Sequence, residues 1–390
     1  MKARLSLLKT IMLGSLAFSC TSFADVQQPI IESYAKHAQY LDIKISPEGT
    51  YLASTSRSED GLISLTVLDI KKQEVVSITR GRGKESVSTF NWLNDDRLLI
   101  TMAREVGSFE QPLPTGELIA MNADGSDSTI LTGWRSESGD KRFSQIVDYL
   151  PSDPDAVVVY SVDLTAREPY LDLYKMKVSN GRKSGMGRMP LRRYAGSGAG
   201  VITGTNGNVL AMFNSDPNED NKQTLIVRSS PESDWYTAYE AGAYDPFFQP
   251  LVFLADNKTL VGLSTIETDT QALATFNVDT KKHTVLYAHD KVDVSPIVHV
   301  QNGQVREVQG ASFEYLGIDS VFLDGVQYSE DQKILASLTN TFKGQMVQAT
   351  SSTNDTNQVI FRVGNANNPT VFYLFDKSAR KLVKLAETRP

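Results

Sequence analysis

Four histidines and one cysteine are the whole supply of imidazole and thiol in this 390-residue chain. Nucleophilic and metal chemistry can therefore be sought residue by residue. A serine nucleophile of the G-x-S-x-G type sits on a strained strand–turn–helix, with its acid and base elsewhere in the chain. The nearest match is "YAGSGAG" (194–200), where Ser197 lies between Gly196 and Gly198 but the positions two away are Ala195 and Ala199. No strand pattern leads in and no helix pattern leads out, so Ser197 reads as part of a connecting loop. His37 lies in an entry segment, His283 in a hairpin turn, and His289 and His299 near a junction between repeats. His289 with Asp290 and Asp293 has the composition of a base with orienting carboxylates, and equally that of a solvated loop. No two histidines stand at i, i+3 or i, i+4, as a zinc site on a helix would need.

Charged and glycine-rich stretches are no more specific. "SDPNEDN" (215–221) offers Asp216, Glu219 and Asp220 to a cation but lacks the central Gly and distal Glu of a calcium loop. "GRKSGMGRMPLRRY" (181–194) carries Arg182, Lys183, Arg188, Arg192 and Arg193. It reads as a solvated crossing between repeats, or as a contact for an acidic partner. "GRGKES" (81–86) has neither the Walker spacing nor a following helix. The expectation is a chain with no catalytic, cofactor-binding or metal residues of its own.

The elements around these residues are short alternating segments joined by turns rich in Gly, Asp and Asn, the pattern of strands and hairpins. Pairs run through 51–56 and 62–70, 97–103 and 116–125, 156–163 and 170–178, 208–214 and 223–229, 259–266 and 272–280, and 357–364 with 371–385. They recur about 45–60 residues apart, a period that fits propeller blades better than a sandwich. One turn form repeats in "LDIKKQEVVSI" (68–78), "NADGSDSTIL" (122–131), "KVSNGRKSGM" (177–186), "NVDTKKHTVL" (277–286) and "FDKSARKLVKL" (375–385). A strand ends on a polar or acidic residue, turns through a basic or small one, and returns as an outer strand. The fold expected is all-β: a seven-bladed β-propeller with WD-repeat-like blades, the irregular stretch 299–325 serving as the sixth. "YSEDQKILASLTNTFKG" (328–344) is the exception. Ser329 opens it, Asp331 lies in its first turn, Ile334, Leu335, Leu338 and Phe342 share a face, and Gly344 stops it, which predicts one short amphipathic helix before the last blade.

Residues 1–24 have a basic start (Lys2, Arg4, Lys9), an apolar run at 11–18 and a small-x-small site before Asp25, which together read as a secretory signal peptide. A lipoprotein signal at Cys20 is the alternative, and bulky Phe18 fits it poorly. Cleavage after Ala24 leaves 25–390 as the propeller, free of cysteine and suited to a periplasm. Membrane contact is expected only if Cys20 is lipidated or the signal stays uncleaved. The net charge of −7 argues against nucleic acid as a partner.

Several stretches resemble the prolyl oligopeptidase family, in particular its bacterial dipeptidyl- and acylaminoacyl-peptidase-like members. They are "PIIESYAKHAQYLDIKISPEGTYLA" (29–53), "FNWLNDDRLLI" (90–100), "GELIAMNADGSD" (116–127), "IVDYLPSDPDAVVV" (146–159), and the helix with the last blade's "VFYLFDKSARKLVKL" (371–385). The resemblance implies a propeller that covers the active site of an α/β-hydrolase domain with a Ser-Asp-His triad and admits short peptides. This sequence shows no such hydrolase domain. The expected partners are therefore an α/β-hydrolase domain or a short peptide substrate, with no nucleic acid. A free-standing periplasmic propeller that binds a peptide, protein or cell-envelope ligand is the alternative. On the first reading "ETRP" (387–390) stands where a linker would enter the hydrolase domain.

Overall fold

Seven antiparallel sheets follow one another along the chain, each built from strands consecutive in sequence. The computed structural model describes residues 37–389 apart from 108–109, 138, 151, 164, 168–169, 193–199, 217–219 and 302. The leader 1–24 with Cys20, most of the entry segment, Ser197, Arg193, Glu219 and Pro390 lie outside the described residues. Six sheets have four strands and one has three. They span 40–79, 85–132, 143–192, 200–241, 248–287, 295–322 and 346–387, hereafter blades 1 to 7. This is the expected seven-bladed β-propeller, and the blades recur at the expected spacing.

The strands form because each blade has two faces to bury, and period two assigns alternate residues to alternate faces. In the second strand of blade 2 (Arg97–Arg104), Leu98, Ile100 and Met102 pack toward blade 1 while Leu99 packs toward blade 3. In Ala156–Val162 of blade 3, Val157 and Val159 face blade 2, and Val158, Tyr160 and Val162 face blade 4. An uninterrupted apolar run is the outcome wherever both faces are covered. Seven apolar clusters result among the described residues, one at each seam between blades.

The repeated turn has a physical reason. Asp69, Asn277 and Asp376 accept backbone N–H groups of Lys72, Thr280 and Ala379 at 2.9 Å, and Asn180 does the same for Arg182. The basic or small residue that follows, Gln73, Gly125, Gly181, Lys281 or Arg380, has positive φ and turns the chain back into the outer strand.

Blade 6 departs from the rule. It begins at Ser295, before the expected 299, and holds three strands, Ser295–Gln301, Gln304–Glu314 and Ile318–Phe322. Helix α1 (Ser329–Thr341) follows. Glu330 and Asp331 in its first turn suit the helix dipole, but the N-cap is Tyr328 and no side chain caps it, so Ser329 does not act as a cap. Leu335 and Leu338 are buried, with Ile334 and Phe342 beside them, against Val359, Phe361, Phe375 and Leu382 of blade 7. The helix thus fills the seam where a fourth strand would have packed.

The basic stretch is also corrected. Lys183–Arg192 is the outer strand of blade 3, not a crossing. Its charges are matched locally: Lys183 pairs with Asp140, and Arg188 reaches Asp172 at 2.7 Å.

Among the described residues no strand is exchanged between the first and last blades. The ring closes through side chains and isolated backbone contacts. Ile45 N donates to Ser351 Oγ (2.8 Å), Thr350 Oγ1 to Ile43 O (2.7 Å) and Asn354 N to Pro47 O (2.7 Å), over a cluster of Ile43, Ile45, Ile360 and Phe372. Gln39 N donates to Thr388 O at 2.7 Å, so the two ends of the ring emerge side by side.

Candidate functional site

Strand direction gives the ring two unlike ends. Each innermost strand runs from a crossing end, which holds the second-to-third-strand loops and the passages between blades, to a turn end with the first-to-second and third-to-fourth turns.

The residues singled out for chemistry do not assemble into a catalytic group. His283, expected in a turn, opens the outer strand His283–Tyr287 of blade 5. Its Nε2 lies 3.0 Å from Ser264 Oγ, and Glu267 is 3.8 Å from Nδ1, a superficial serine–histidine–acid array. Ser264 is fully buried, donates its proton to Phe247 O (3.0 Å) and accepts from Ile266 N (3.0 Å). Its hydroxyl is therefore not offered to the imidazole, and no substrate reaches it. Lys183 and Ser161 (2.8 Å) form a buried serine–lysine pair, with the ammonium held by Asp140.

His289 is no base with orienting acids. Its ring packs on Phe313 (4.6 Å between centroids) and Tyr315 (5.4 Å), while Asp293 accepts Gln271 N. His299 lies within an inner strand rather than at a junction. It stacks on Tyr328 at 3.9 Å and sits 3.5 Å from Asp331, whose carboxylate also takes Lys377. Burial lowers its pKa and the Lys377 charge does so too, against the opposing pull of Asp331 and Glu307. The ring is neutral near pH 7. Among the described residues no group of three or more His, Cys, Asp or Glu could hold a metal ion.

The turn end has built-in polar structure that the sequence did not announce. The "SPEG" turn of blade 1 and the "NDDR" turn of blade 2 join directly. Buried Ser46 donates to Asp95, which also accepts Glu48 N at 2.9 Å. Arg97 continues the chain of contacts to Asn122 and Asp127 and on to Val178 O of blade 3.

Nearer the axis, Lys44 donates to Asn91 Oδ1 (2.8 Å), and Asn91 donates to Tyr149 OH (2.6 Å). Burial pushes the Tyr149 phenol up to about 12 and lowers the Lys44 ammonium, despite the counter-charge of Asp42. Beside them a half-open chamber of about 310 Å³ is lined by inner-strand and turn residues of blades 3 to 6, among them Thr203, Leu251, Val252 and Tyr328. At its wall Asp148 of blade 3, 0 % exposed, accepts Leu150 N and Thr203 Oγ1 and meets Arg306 of blade 6, Nη2 to Oδ1 at 2.9 Å and Nη1 to Oδ2 at 3.3 Å.

The crossing end carries the apolar surface. Val106, Leu113, Trp134, Tyr244, Tyr315, Leu316 and Met346 are exposed there, Tyr244 at 96 % and Leu316 at 97 %, whereas Val75, Tyr236 and Leu254 are exposed toward the turn end. The support beneath Trp134 is rigid. Arg135 binds Glu117 Oε1 at 2.8 Å and Glu85 Oε2 at 2.7 Å, and Arg104 takes the other Glu85 oxygen at 3.0 Å. Burial raises the Glu85 pKa, but the Arg135 and Arg104 hydrogen bonds outweigh it and hold the carboxyl below its usual range.

No family model and no curated protein matches this sequence. Two solved structures share its architecture. A chain from a structural and mechanistic analysis of two prolyl endopeptidases, concerned with inter-domain dynamics in catalysis and specificity, aligns over 90 % of this chain at 10 % identity with a TM-score of 0.52. This chain spans 50 % of that one. The β-propeller domain of the Trilobed protease from Pyrococcus furiosus, described as having an open velcro topology, aligns over 91 % of this chain and all of its own length, at 9 % identity and a TM-score of 0.51. At these identities the likeness establishes the fold: the chain is a seven-bladed propeller of the architecture found in these two proteases.

Proposed function

We propose that this chain is the non-catalytic propeller of a prolyl-oligopeptidase-like serine peptidase, and that it gates access of short peptides to a hydrolase site supplied by an α/β-hydrolase domain. One observation carries the reading. The exposed apolar side chains gather at the end of the ring where Gln39 and Thr388 emerge hydrogen-bonded together, so a domain joined at either terminus would lie over that surface. Single exposed apolar residues are ordinary; among the described residues seven at the crossing end, with three toward the turn end, favour a docking face. The buried serine–histidine and serine–lysine pairs supply no accessible nucleophile. The signal-like 1–24 favours export to a periplasm.

Purified chain assayed with aminoacyl- and dipeptidyl-p-nitroanilides should show no turnover; turnover that survives rigorous purification would overturn the reading. A free-standing exported propeller that binds a peptide, protein or cell-envelope ligand is the second reading, favoured by the polar chamber at the turn end. Apolar-dye titration separates the two. Excess binding lost on Leu316→Ser and Tyr244→Ser supports docking, and no excess binding supports the independent module. Mass spectrometry of the mature N-terminus distinguishes cleavage after Ala24 from lipidation at Cys20.

A further inference from the structure

Six of the seven innermost strands end in turns that stay with their own blade or its neighbour. The start of the second strand of blade 6 behaves differently. Arg306 lies against Asp148 of blade 3, and Gly303 lies against Asn91 of blade 2, where a Cβ at 303 would come within 2.6–2.8 Å of the amide. Blades 2 and 3 stand across the axis from blade 6, separated from it by blades 4 and 5 on one side and by blades 7 and 1 on the other. Gly303 has φ +79, a conformation that, with the absent side chain, allows this approach.

The contact is not a surface ion pair. Asp148 is fully buried, also accepts Thr203 Oγ1 and Leu150 N, and among the described residues takes its counter-charge from the Arg306 fork. Charge-assisted bidentate pairing of this kind fixes geometry as well as energy. Gln301, Gln304 and Arg306 also line the half-open chamber.

We propose that residues 303–306 form a latch across the turn end of the ring, held by the Asp148–Arg306 pair and seated on Asn91, so that a bulky molecule enters the half-open chamber from this end only when the pair breaks. Under the gating function proposed above, on which its purpose rests, the latch is what admits or refuses a peptide at the turn end. Its mechanics can be tested without any hydrolase.

Cys20 is the only cysteine, so Cys20→Ser gives a silent background in which Val252→Cys, a chamber-lining position 9 % exposed, reports access to maleimides of graded size. Arg306→Ala would strand a buried carboxylate and endanger folding. The latch is therefore opened with the double variant Asp148→Asn/Arg306→Gln, which removes both charges together and leaves no buried carboxylate without a counter-charge. Labelling of Val252→Cys by a bulky maleimide should rise on the order of 10- to 100-fold in the double variant, the change expected for losing a charged hydrogen bond. A small maleimide should gain less, and Lys72→Cys on an exposed turn should not change. Equal labelling with latch intact and latch neutralised, in variants of unchanged melting temperature, would overturn the latch. Absence of hydrolase binding with altered labelling would instead overturn only the gating reading.

Discussion

At the turn end of the ring, Ser46, Asp95, Arg97, Asn91, Asp148 and Arg306 join blades 1, 2, 3 and 6 through buried or half-buried polar contacts. At the crossing end, Leu316, Tyr244 and Trp134 project into solvent without holding anything together. The difference teaches where energy and surface are separated in this fold. Short turns bring neighbouring blades close enough for their polar side chains to be desolvated and paired, whereas the exposed apolar side chains of the crossing end leave room for a second body. Stability is therefore expected to be sensitive at the turn-end pairs and indifferent at those exposed apolar side chains.

Five substitutions test that contrast, in falling order of effect. Arg306→Ala leaves Asp148 buried without a counter-charge and should cost about 3–5 kcal/mol in denaturant unfolding; a loss below about 1 kcal/mol would show that the pair adds little. Gly303→Ala combines positive φ with a collision at Asn91 and should cost about 1–3 kcal/mol. If it is neutral, the seat on Asn91 is not tight.

His299 adds a pH signature in the irregular blade. Its pKa is lowered by burial, so the unfolded chain takes up the proton first, and stability should fall as the pH drops below roughly 6.5 toward the lower folded-state value. His299→Gln should flatten that part of the curve; an unchanged slope would assign acid sensitivity to other groups. At the crossing end, Leu316→Ser and Tyr244→Ser should leave stability within about 0.5 kcal/mol while reducing apolar-dye binding. A large loss of stability there would erase the distinction between the two ends.

Much of the fold was legible because it is local. Leu98 to Met102 and Val157 to Val162 alternate between two covered faces, so the strands could be read in place. Asp69, Asn277 and Asp376 close turns over three residues, and each is followed by a residue of positive φ. The helix was legible from Leu335, Leu338 and Phe342. The site was not. Asp148 and Arg306 are 158 positions apart, and neither stands in a pattern that marks a partner. His299, Asp331 and Lys377 come from a strand, a helix and a turn in different blades. The basic stretch 181–194 was misread as a crossing because an outer edge strand leaves charges such as Arg188 in solvent, which hides its alternation.

The sequence by itself determined the blade: alternation with both faces apolar, a turn every few residues, and a helix where a strand pattern is missing. These features rest on interactions within a few residues or one hairpin. Only the tertiary structure decided which side chains of the first and last blades close the ring, that the first residues of a blade 6 strand reach across to Asp148 and Asn91, and that Trp134, Tyr244 and Leu316 share one end. Those outcomes depend on the accumulated rotation of seven packed sheets, which no local pattern of residues encodes.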